Sequence, residues 1–182
     1  MRDVEDVVLR LCRTKETQGL NDKIDWESHI KSTVRYAKKL AARNGADPRI
    51  VELAAWLHDI DLIKGGDFKS HSKTGAREAA KILEELHYDK AMIKRVKDCI
   101  SKHDLLDDLK SKEATALTDA DALSHFDHFV LQAFQGYSIN GFNHDKAKEW
   151  VLKKYQKSWQ KLSPGQKKAV KNKYEAIRLL LH

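Results

Sequence analysis

Histidine and aspartate side chains recur in this sequence at the ends or along the apolar faces of predicted helices. The clearest case is AAWLHDIDLIKGGD, residues 54–67, where an apolar run reaches His58-Asp59 and then breaks into a Gly-Gly loop. Burying one ionisable group without a partner costs several kcal/mol, so a set of inward-facing ones needs a common partner. The inward-facing groups are His29, His58, Asp59, His71, His103 and Asp121. Because imidazoles and carboxylates together suit Mn, Fe, Co, Ni or Zn better than Mg alone, the sequence predicts a divalent transition-metal site.

Helices must position these residues. Only two prolines and eight glycines interrupt the 182 residues, and apolar side chains recur three to four positions apart. The spacing predicts helices over residues 3–15, 26–44, 48 to 58 or 59, 70 or 72 to 86, 89–103, 111–136, 143–161 and 163–181. The sequence therefore predicts an all-α protein.

Length and composition predict one domain over residues 1–182, since a chain of this size buries one good core. Cys12 and Cys99 fit no metal-binding or redox spacing, which favours two buried thiols in a reducing compartment. The N-terminal residues carry acids among their apolar positions and contain no segment suited to a signal peptide or a membrane span. We therefore expect a cytoplasmic protein without membrane contact.

Positive charge is concentrated near the C-terminus. The formal net charge is +7, whereas residues 146–182 alone contain ten Lys and one Arg against two Glu, a balance of +9. Lysines interleaved with Tyr155, Trp159 and Tyr174 superficially suggest nucleic-acid binding. The aromatic residues share faces with other apolar positions, however, so packed amphipathic helices with solvated lysines are favoured and nucleic acid is the less favoured partner.

The order of the candidate residues resembles the HD-domain superfamily of metal-dependent phosphohydrolases, with its pattern H…HD…D. The matching residues are His29, the His58-Asp59 pair and Asp121 within TDADAL. The resemblance covers about residues 26–137. It implies an HD-type helical bundle, with an extra N-terminal helix and with basic C-terminal helices at about 143–181 packed on the core. It also implies that His29, His58, Asp59 and Asp121 hold the divalent metal ion.

His71, in SHSKTGAREAA, and His103, in ISKHD, resemble the extra histidines of a subset of the superfamily. They either line a phosphate pocket or bind a second metal ion, and the sequence favours the first role. Asp59, His71 and His103 are thus the candidate catalytic residues. Asp59 would accept the proton of the attacking water, and a protonated histidine would stabilise the phosphate or protonate the leaving oxygen.

Two further aspartates compete for roles in the site. Asp119 and Asp121 are two positions apart on one predicted helix, so they point about 200° apart and only one can face the metal. Asp121 matches the family pattern better. Asp61 either holds a ligand histidine in place or closes the loop that follows. Lys64, on that loop, either attracts a polyanionic substrate or is solvated.

The resemblance implies hydrolysis of a phosphate ester or anhydride of a small molecule by a metal-activated water. A nucleotide is the favoured substrate. The alternative is a non-catalytic metal-binding or regulatory module whose basic C-terminal helices bind RNA or another polyanion.

Overall fold

The chain folds into a bundle of α-helices. A computed structural model describes residues 1–16, 25–105, 111–136 and 141–181, and no strand occurs within these ranges, which confirms the all-α class. The predicted end of the core at residue 137 lies outside the described residues. The helices are α1 (Arg2–Glu16), α2 (Lys31–Asn44), α3 (Pro48–Leu57), α4 (Ile60–Ile63), α5 (His71–Glu85), α6 (Lys90–Lys102), α7 (Lys112–Asp127), α8 (Phe129–Phe134), α9 (His144–Lys161) and α10 (Pro164–Leu180).

Local sequence signals fix the turn between α2 and α3. Gly45 follows α2 with a φ of 62°, a left-handed conformation that glycine adopts without steric cost. The Asp47 carboxylate accepts hydrogen bonds from the backbone amides of Arg49 and Ile50, and Pro48 takes the first position of α3. Most side chains of α3 are buried, so its C-terminal end is held firmly in the core.

α7 is the central helix of the bundle. It contacts α2, α3, α6, α9 and α10, and almost every residue from Ala114 to Ser124 is buried. Because buried polar groups need hydrogen-bonding or ionic partners, the aspartates of α7 must find theirs on the neighbouring helices.

Two helices differ from the sequence prediction. The helix predicted over 26–44 begins as a π-helical turn, Asp25–Ile30, which carries His29 and changes the direction of that side chain relative to α2. The helix predicted over 111–136 ends at Asp127, because His128 leaves the helical region (φ −128°, ψ 40°) and the short α8 follows. Isolated π-helical turns are frequent at functional sites.

The aromatic residues of the basic C-terminal helices pack inside the bundle. Tyr155 is fully buried and its hydroxyl donates to the backbone carbonyl oxygen of His125 (2.7 Å). The rings of Trp159 and Tyr174 stack with their centres 4.5 Å apart, which joins α9 to α10. Packing therefore accounts for these aromatics. None of the helices in the described ranges is both long enough and apolar enough to cross a membrane.

Candidate metal centre

His58 and Asp59 lie where α3 ends and the chain turns into α4. His58 is completely buried, and its Nδ1–H donates to the Ala55 carbonyl oxygen (2.9 Å). Asp59 leaves the helical conformation (φ −105°, ψ 18°). Neighbouring residues on a continuous helix point about 100° apart. The turn at Asp59 brings both consecutive side chains to one place.

His29 and Asp121 join this pair in a first cluster. The Nε2 atom of His29 lies 3.0 Å from Asp59 Oδ2, 3.1 Å from His58 Nε2 and 3.5 Å from Asp121 Oδ1. The Nε2 atom of His58 lies 3.4 Å from Asp59 Oδ2 and 3.9 Å from Asp121 Oδ1. The four residues that the resemblance implied as metal ligands thus present one donor atom each to the same small volume.

His71 and His103 form a second cluster around the other oxygen of Asp59. Their Nε2 atoms lie 3.3 Å apart. Asp59 Oδ1 is 3.7 Å from His71 Nε2 and 4.0 Å from His103 Nε2. His71 begins α5 and His103 follows α6, and both rings are buried. Asp59 therefore directs Oδ2 toward the first cluster and Oδ1 toward the second.

Hydrogen bonds at Nδ1 fix the tautomers of these rings. His71 and His103 each donate an Nδ1–H to the backbone carbonyl oxygen three residues earlier (2.7 Å in both), as His58 does. A carbonyl oxygen can only accept, so the Nε2 of each neutral ring carries a lone pair. Facing lone pairs about 3.1–3.3 Å apart repel unless a cation lies between them. Metal-ligating histidines adopt this arrangement, so the residues present fit divalent ions.

His29 is oriented in the same way by a side chain. Its Nδ1 lies 2.8 Å from the Ser124 hydroxyl, which itself donates to the Asp121 backbone carbonyl oxygen (2.7 Å). Because that hydroxyl hydrogen is already used, the Nδ1–H of His29 donates to Ser124. In its neutral form, His29 then faces Asp59 with the lone pair of Nε2, as a metal ligand would.

The protonation states also suit metal ions. Burial by itself would raise the pKa of Asp59, but the neighbouring His58 and His29 outweigh it and hold that pKa well below its usual range. Burial lowers the pKa of His58, and it lowers the pKa of His103 to about 4. At neutral pH Asp59 is therefore ionised and His58 and His103 are neutral, the forms in which these side chains bind metals. Burial by itself would lower the pKa of His29, but the carboxylates of Asp59 and Asp121 outweigh it and raise that pKa.

The other aspartates of the two motifs face elsewhere. Asp119 accepts hydrogen bonds from the backbone amide and the hydroxyl of Ser163 (2.7 Å each), at the start of α10, so Asp121 alone of the two faces the histidines. Asp61 is buried against the loop after α4, where its carbonyl oxygen accepts from the Gly66 amide (2.7 Å) and its carboxylate contacts Gly66. These contacts fit the loop-closing role of Asp61.

A methyl group on Gly66 would overlap the carboxylate of Asp61. We expect Gly66→Ala to lower the free energy of unfolding by about 1–3 kcal/mol, the usual cost of overpacking a tight contact. Urea denaturation measures the change. Gly165→Ala in α10 is the matched control, because a Cβ there meets no atom within 4 Å. Equal stability of the two variants would contradict the proposed contact.

α9 contributes a buried lysine that the sequence analysis missed. Lys161 Nζ lies 3.1 Å from Asp121 Oδ2 and 2.5 Å from Asp104 Oδ1, and Lys157 Nζ lies 3.0 Å from Asp104 Oδ2. Asp121 thus divides its oxygens between the histidines (Oδ1) and Lys161 (Oδ2). The prediction that the lysines of this helix are simply solvated is wrong at Lys161, whose side chain is only 7% exposed.

These ion pairs persist at neutral pH. Burial opposes the charge of Lys161, but Asp121 and Asp104 outweigh it and raise the pKa of Lys161 above its usual value. Burial would likewise raise the pKa of Asp121, and the charge of Lys161 more than offsets it, so that pKa lies well below its usual value. Asp121 therefore stays ionised and is held on one side by a fixed cation.

His125 lies beside the first cluster. Its ring stacks on that of His29, with centres 4.9 Å apart and an angle of 3°. The Ser158 hydroxyl lies 2.8 Å from His125 Nδ1 and donates to the Lys154 carbonyl oxygen, so His125 donates to Ser158 through Nδ1–H. Burial lowers the pKa of His125 well below its usual value, and the charge of Lys154 lowers it further. His125 is thus a neutral imidazole with a lone pair on Nε2.

Both clusters open into one cavity of about 530 Å³. The cluster residues line it together with side chains of α9, α8 and the loop before α5. These further lining residues include Phe68, Gln132, Gln135, Trp150, Lys153, Lys154, Lys157 and Lys161. The lysines of the lining thus come from α9, whereas Lys64 pairs with Glu78 (2.5 Å). The wall is basic, aromatic and amide-bearing, and the floor is formed by histidines and aspartates that could hold a metal ion.

The lowered pKa of His103 predicts a pH-dependent stability for the protein treated with a chelator. The folded state favours neutral His103 down to about pH 4, whereas the unfolded chain protonates it near pH 6.5. The contribution of this pKa difference to the free energy of unfolding, about 3 kcal/mol, is fully present above pH 6.5 and is lost as the pH falls toward 4. Urea denaturation between pH 7 and 4.5 measures the slope. His103→Gln should show a shallower slope, and equal slopes would contradict the assignment.

Comparison with known proteins places the fold. Residues 26–125 match the family model of the HD domain. A predicted HD superfamily hydrolase from an uncultured Thermotogales bacterium is similar at 22% identity with a TM-score of 0.58, over 86% of this chain and 85% of that one. An HD-superfamily hydrolase from Bacillus thuringiensis is similar at 19% identity with a TM-score of 0.68, over 99% and 93%. No curated protein matches this chain.

An all-α bundle with histidines and aspartates converging at the floor of a cavity defines a metal-dependent hydrolase. The chain belongs to the HD domain family, since the family match covers more than half of it. The predicted superfamily is thereby confirmed, and with it the assignment of the protein as an enzyme of a metal-dependent phosphohydrolase family.

Proposed function

We propose that the protein hydrolyses a phosphate ester or anhydride of a small molecule, with a nucleotide as the favoured substrate, at a centre built for two divalent ions. His29, His58, Asp59 and Asp121 would hold one ion, and Asp59, His71 and His103 would hold the other. Mn, Fe, Co, Ni or Zn suit such a donor set of imidazoles and carboxylates. Bound there, the ions would polarise a phosphoryl oxygen and lower the pKa of water.

One observation carries the proposal: the carboxylate of Asp59 lies between two pairs of histidines whose Nε2 atoms face one another. In each pair the Nε2 atoms are about 3.1–3.3 Å apart, and the hydrogen bonds at Nδ1 leave both with lone pairs. The sequence favoured a phosphate-lining role for His71 and His103. Their shared approach to Asp59 Oδ1 favours the second role that the sequence left open, that of metal ligands.

Proton transfer needs a base that is not fully engaged. Both oxygens of Asp59 face histidine pairs, which argues against the role as proton acceptor that the sequence suggested for it. His125 is neutral, lines the cavity and has its Nε2 lone pair available. We assign to His125 the acceptance of the proton from the attacking water.

The walls of the cavity support a nucleotide as substrate. Phe68 and Trp150 bring aromatic rings to the cavity against which a base can pack, and 61% of Phe68 is exposed. Gln132 is buried in the lining, and its side-chain oxygen has no hydrogen-bond partner among the described residues. A buried acceptor without a partner is costly. An N–H group of a nucleobase is the type of donor that would satisfy it.

The test is phosphate release by chelator-treated protein from a panel of nucleotides and sugar phosphates, before and after addition of Mn²⁺, Co²⁺ or Ni²⁺. We expect turnover only with added metal, and a preference for nucleotides. His125→Asn should retain its metal content yet turn over more slowly, with an altered pH profile. Full activity without metal would overturn the proposal. Salt-sensitive RNA binding without turnover would favour the alternative of a regulatory module.

A further inference from the structure

We propose that α9 carries a phosphate-binding subsite in which Lys154 and Lys157 hold the phosphate groups that are not attacked, so that the substrate carries at least two phosphates. The inference rests on the proposed function, because that function assigns the reacting phosphate to the metal centre. α9 lies beyond residues 26–125, the range that matches the HD domain. The subsite therefore lies outside the range that the family model matches.

Lys154 lies next to the first cluster. Its Nζ is over the ring of Trp150, 5.4 Å from the ring centre. It is also close enough to His125 to add to the lowering of that ring's pKa by burial. His125 stacks on His29, so Lys154 lies on the side of the first cluster that faces Trp150. A phosphate group that extends from the metal centre toward Trp150 would therefore meet the Lys154 ammonium.

Lys157 lies next to the second cluster. Its Nζ is 5.1 Å from the ring centre of Phe68, which stacks on His71, and 3.0 Å from Asp104, the residue after His103. Asp104 is shared with Lys161, so one carboxylate serves two ammonium groups. Lys157 therefore keeps positive charge to offer an anion. Residues three apart on a helix share a face, so Lys154 and Lys157 present their charges to the same cavity.

Charge balance favours a polyphosphate over a monophosphate. The charged lining residues are Lys153, Lys154, Lys157, Lys161, Asp59, Asp104 and Asp121, a net charge of +1. Two divalent ions would raise this to +5. A phosphate monoester brings at most about two negative charges, and a triphosphate brings about four. The charge of the cavity with its ions is therefore matched by a chain of phosphates.

Binding of inorganic tripolyphosphate to chelator-treated protein tests the subsite without metal chemistry. We expect calorimetry to show binding that weakens on the order of 100-fold in the Lys154→Ala/Lys157→Ala double variant, since each charge-assisted contact to phosphate is strong. Lys168→Ala/Lys171→Ala is the control of equal charge change, because both lysines are exposed on α10. An equal loss of affinity for tripolyphosphate in both double variants would show that overall charge alone accounts for the effect, and would overturn the subsite.

Kinetics with metal-loaded protein tests the substrate class. We expect wild-type kcat/KM to be higher for adenosine triphosphate than for the monophosphate, and the double variant to lose most of that preference. Its turnover of p-nitrophenyl phosphate, which has a single phosphate, should fall less than its turnover of adenosine triphosphate, and the Lys168→Ala/Lys171→Ala control should keep the wild-type turnover of both. A wild-type preference for the monophosphate would overturn the inference. So would an equal loss of kcat/KM by the double variant on adenosine triphosphate and on p-nitrophenyl phosphate. Thermal melting checks folding, and Lys154→Gln and Lys157→Gln replace the double variant if it is unfolded.

Failure of the proposed function has a different signature. If the protein turns over no phosphate ester with any metal yet binds tripolyphosphate through Lys154 and Lys157, the subsite stands and the hydrolase assignment is wrong. If the protein hydrolyses monophosphates and its kinetics do not change when Lys154 and Lys157 are replaced, the hydrolase assignment stands and the subsite is wrong.

Discussion

In the Asp59→Asn variant, both metal ions are expected to be lost and turnover is expected to fall on the order of 10³-fold or more. Among the residues that the structure describes, Asp59 is the one whose two oxygens face the two histidine pairs separately, at 3.0 Å from His29 and 3.7 Å from His71. Its replacement by a neutral amide removes the negative charge that the two clusters share. Metal ions supply several kcal/mol of transition-state stabilisation, and about 1.4 kcal/mol corresponds to a factor of ten.

Metal content by plasma mass spectrometry and phosphate release measured on the same samples check this result. Asp119→Asn is the control, because Asp119 is also an aspartate of the bundle interior but its carboxylate binds Ser163 at the start of α10. The control should keep its metal and its activity while losing some stability. If Asp59→Asn retained two ions, the assignment of Asp59 as the shared ligand would be wrong.

Lys161→Met is expected to lower the free energy of unfolding by about 3–5 kcal/mol in chelator-treated protein. The substitution leaves the buried Asp121 and the partly exposed Asp104 without the cation that both contact at 2.5–3.1 Å. Lys157 still contacts Asp104, so the larger part of the cost falls on Asp121. Divalent ions should restore part of the stability, because a ligand that binds only the folded state stabilises it.

Urea denaturation with and without Mn²⁺ measures both effects. Lys168→Met on the exposed surface of α10 is the control and should change stability by less than about 0.5 kcal/mol. A Lys161→Met variant as stable as this control would show that the ion pairs with Asp121 and Asp104 contribute nothing to the fold.

The convergence of histidines and aspartates at the floor of the cavity was largely predictable from sequence. Apolar spacing defined the helices well enough to place His58 at the end of α3 and Asp121 on the inner face of α7. Caps such as Asp47 and Asp89 fixed where helices begin. Hydrophobic periodicity reports which side of a helix is buried, so charged residues on that side stand out.

The role of the histidine pairs was harder to predict because it depends on contacts distant in sequence. His71 and His103 are 32 positions apart, yet their Nε2 atoms lie 3.3 Å apart. Only the fold shows that both face Asp59 Oδ1. The bonds that fix their tautomers, by contrast, are local, since each Nδ1–H reaches back three residues.

The contribution of α9 was missed for a related reason. Lys154, Lys157 and Lys161 recur at intervals of three and four residues, so a shared face could be read from the sequence. Periodicity does not reveal which helix that face meets, and a row of lysines usually faces solvent. The end of α7 at His128 carried no glycine or proline to signal it. The sequence therefore predicted the floor of the cavity but not this wall.

Anomalous X-ray scattering from crystals of Mn²⁺-loaded protein is the most direct test of the central claim that Asp59 joins two metal sites. We predict two peaks in the cavity, one among His29, His58 and Asp121 and the other between His71 and His103, with Asp59 in contact with both. A single peak in the first cluster would refute the second site. No peak near Asp59 in catalytically active crystals would contradict the whole account.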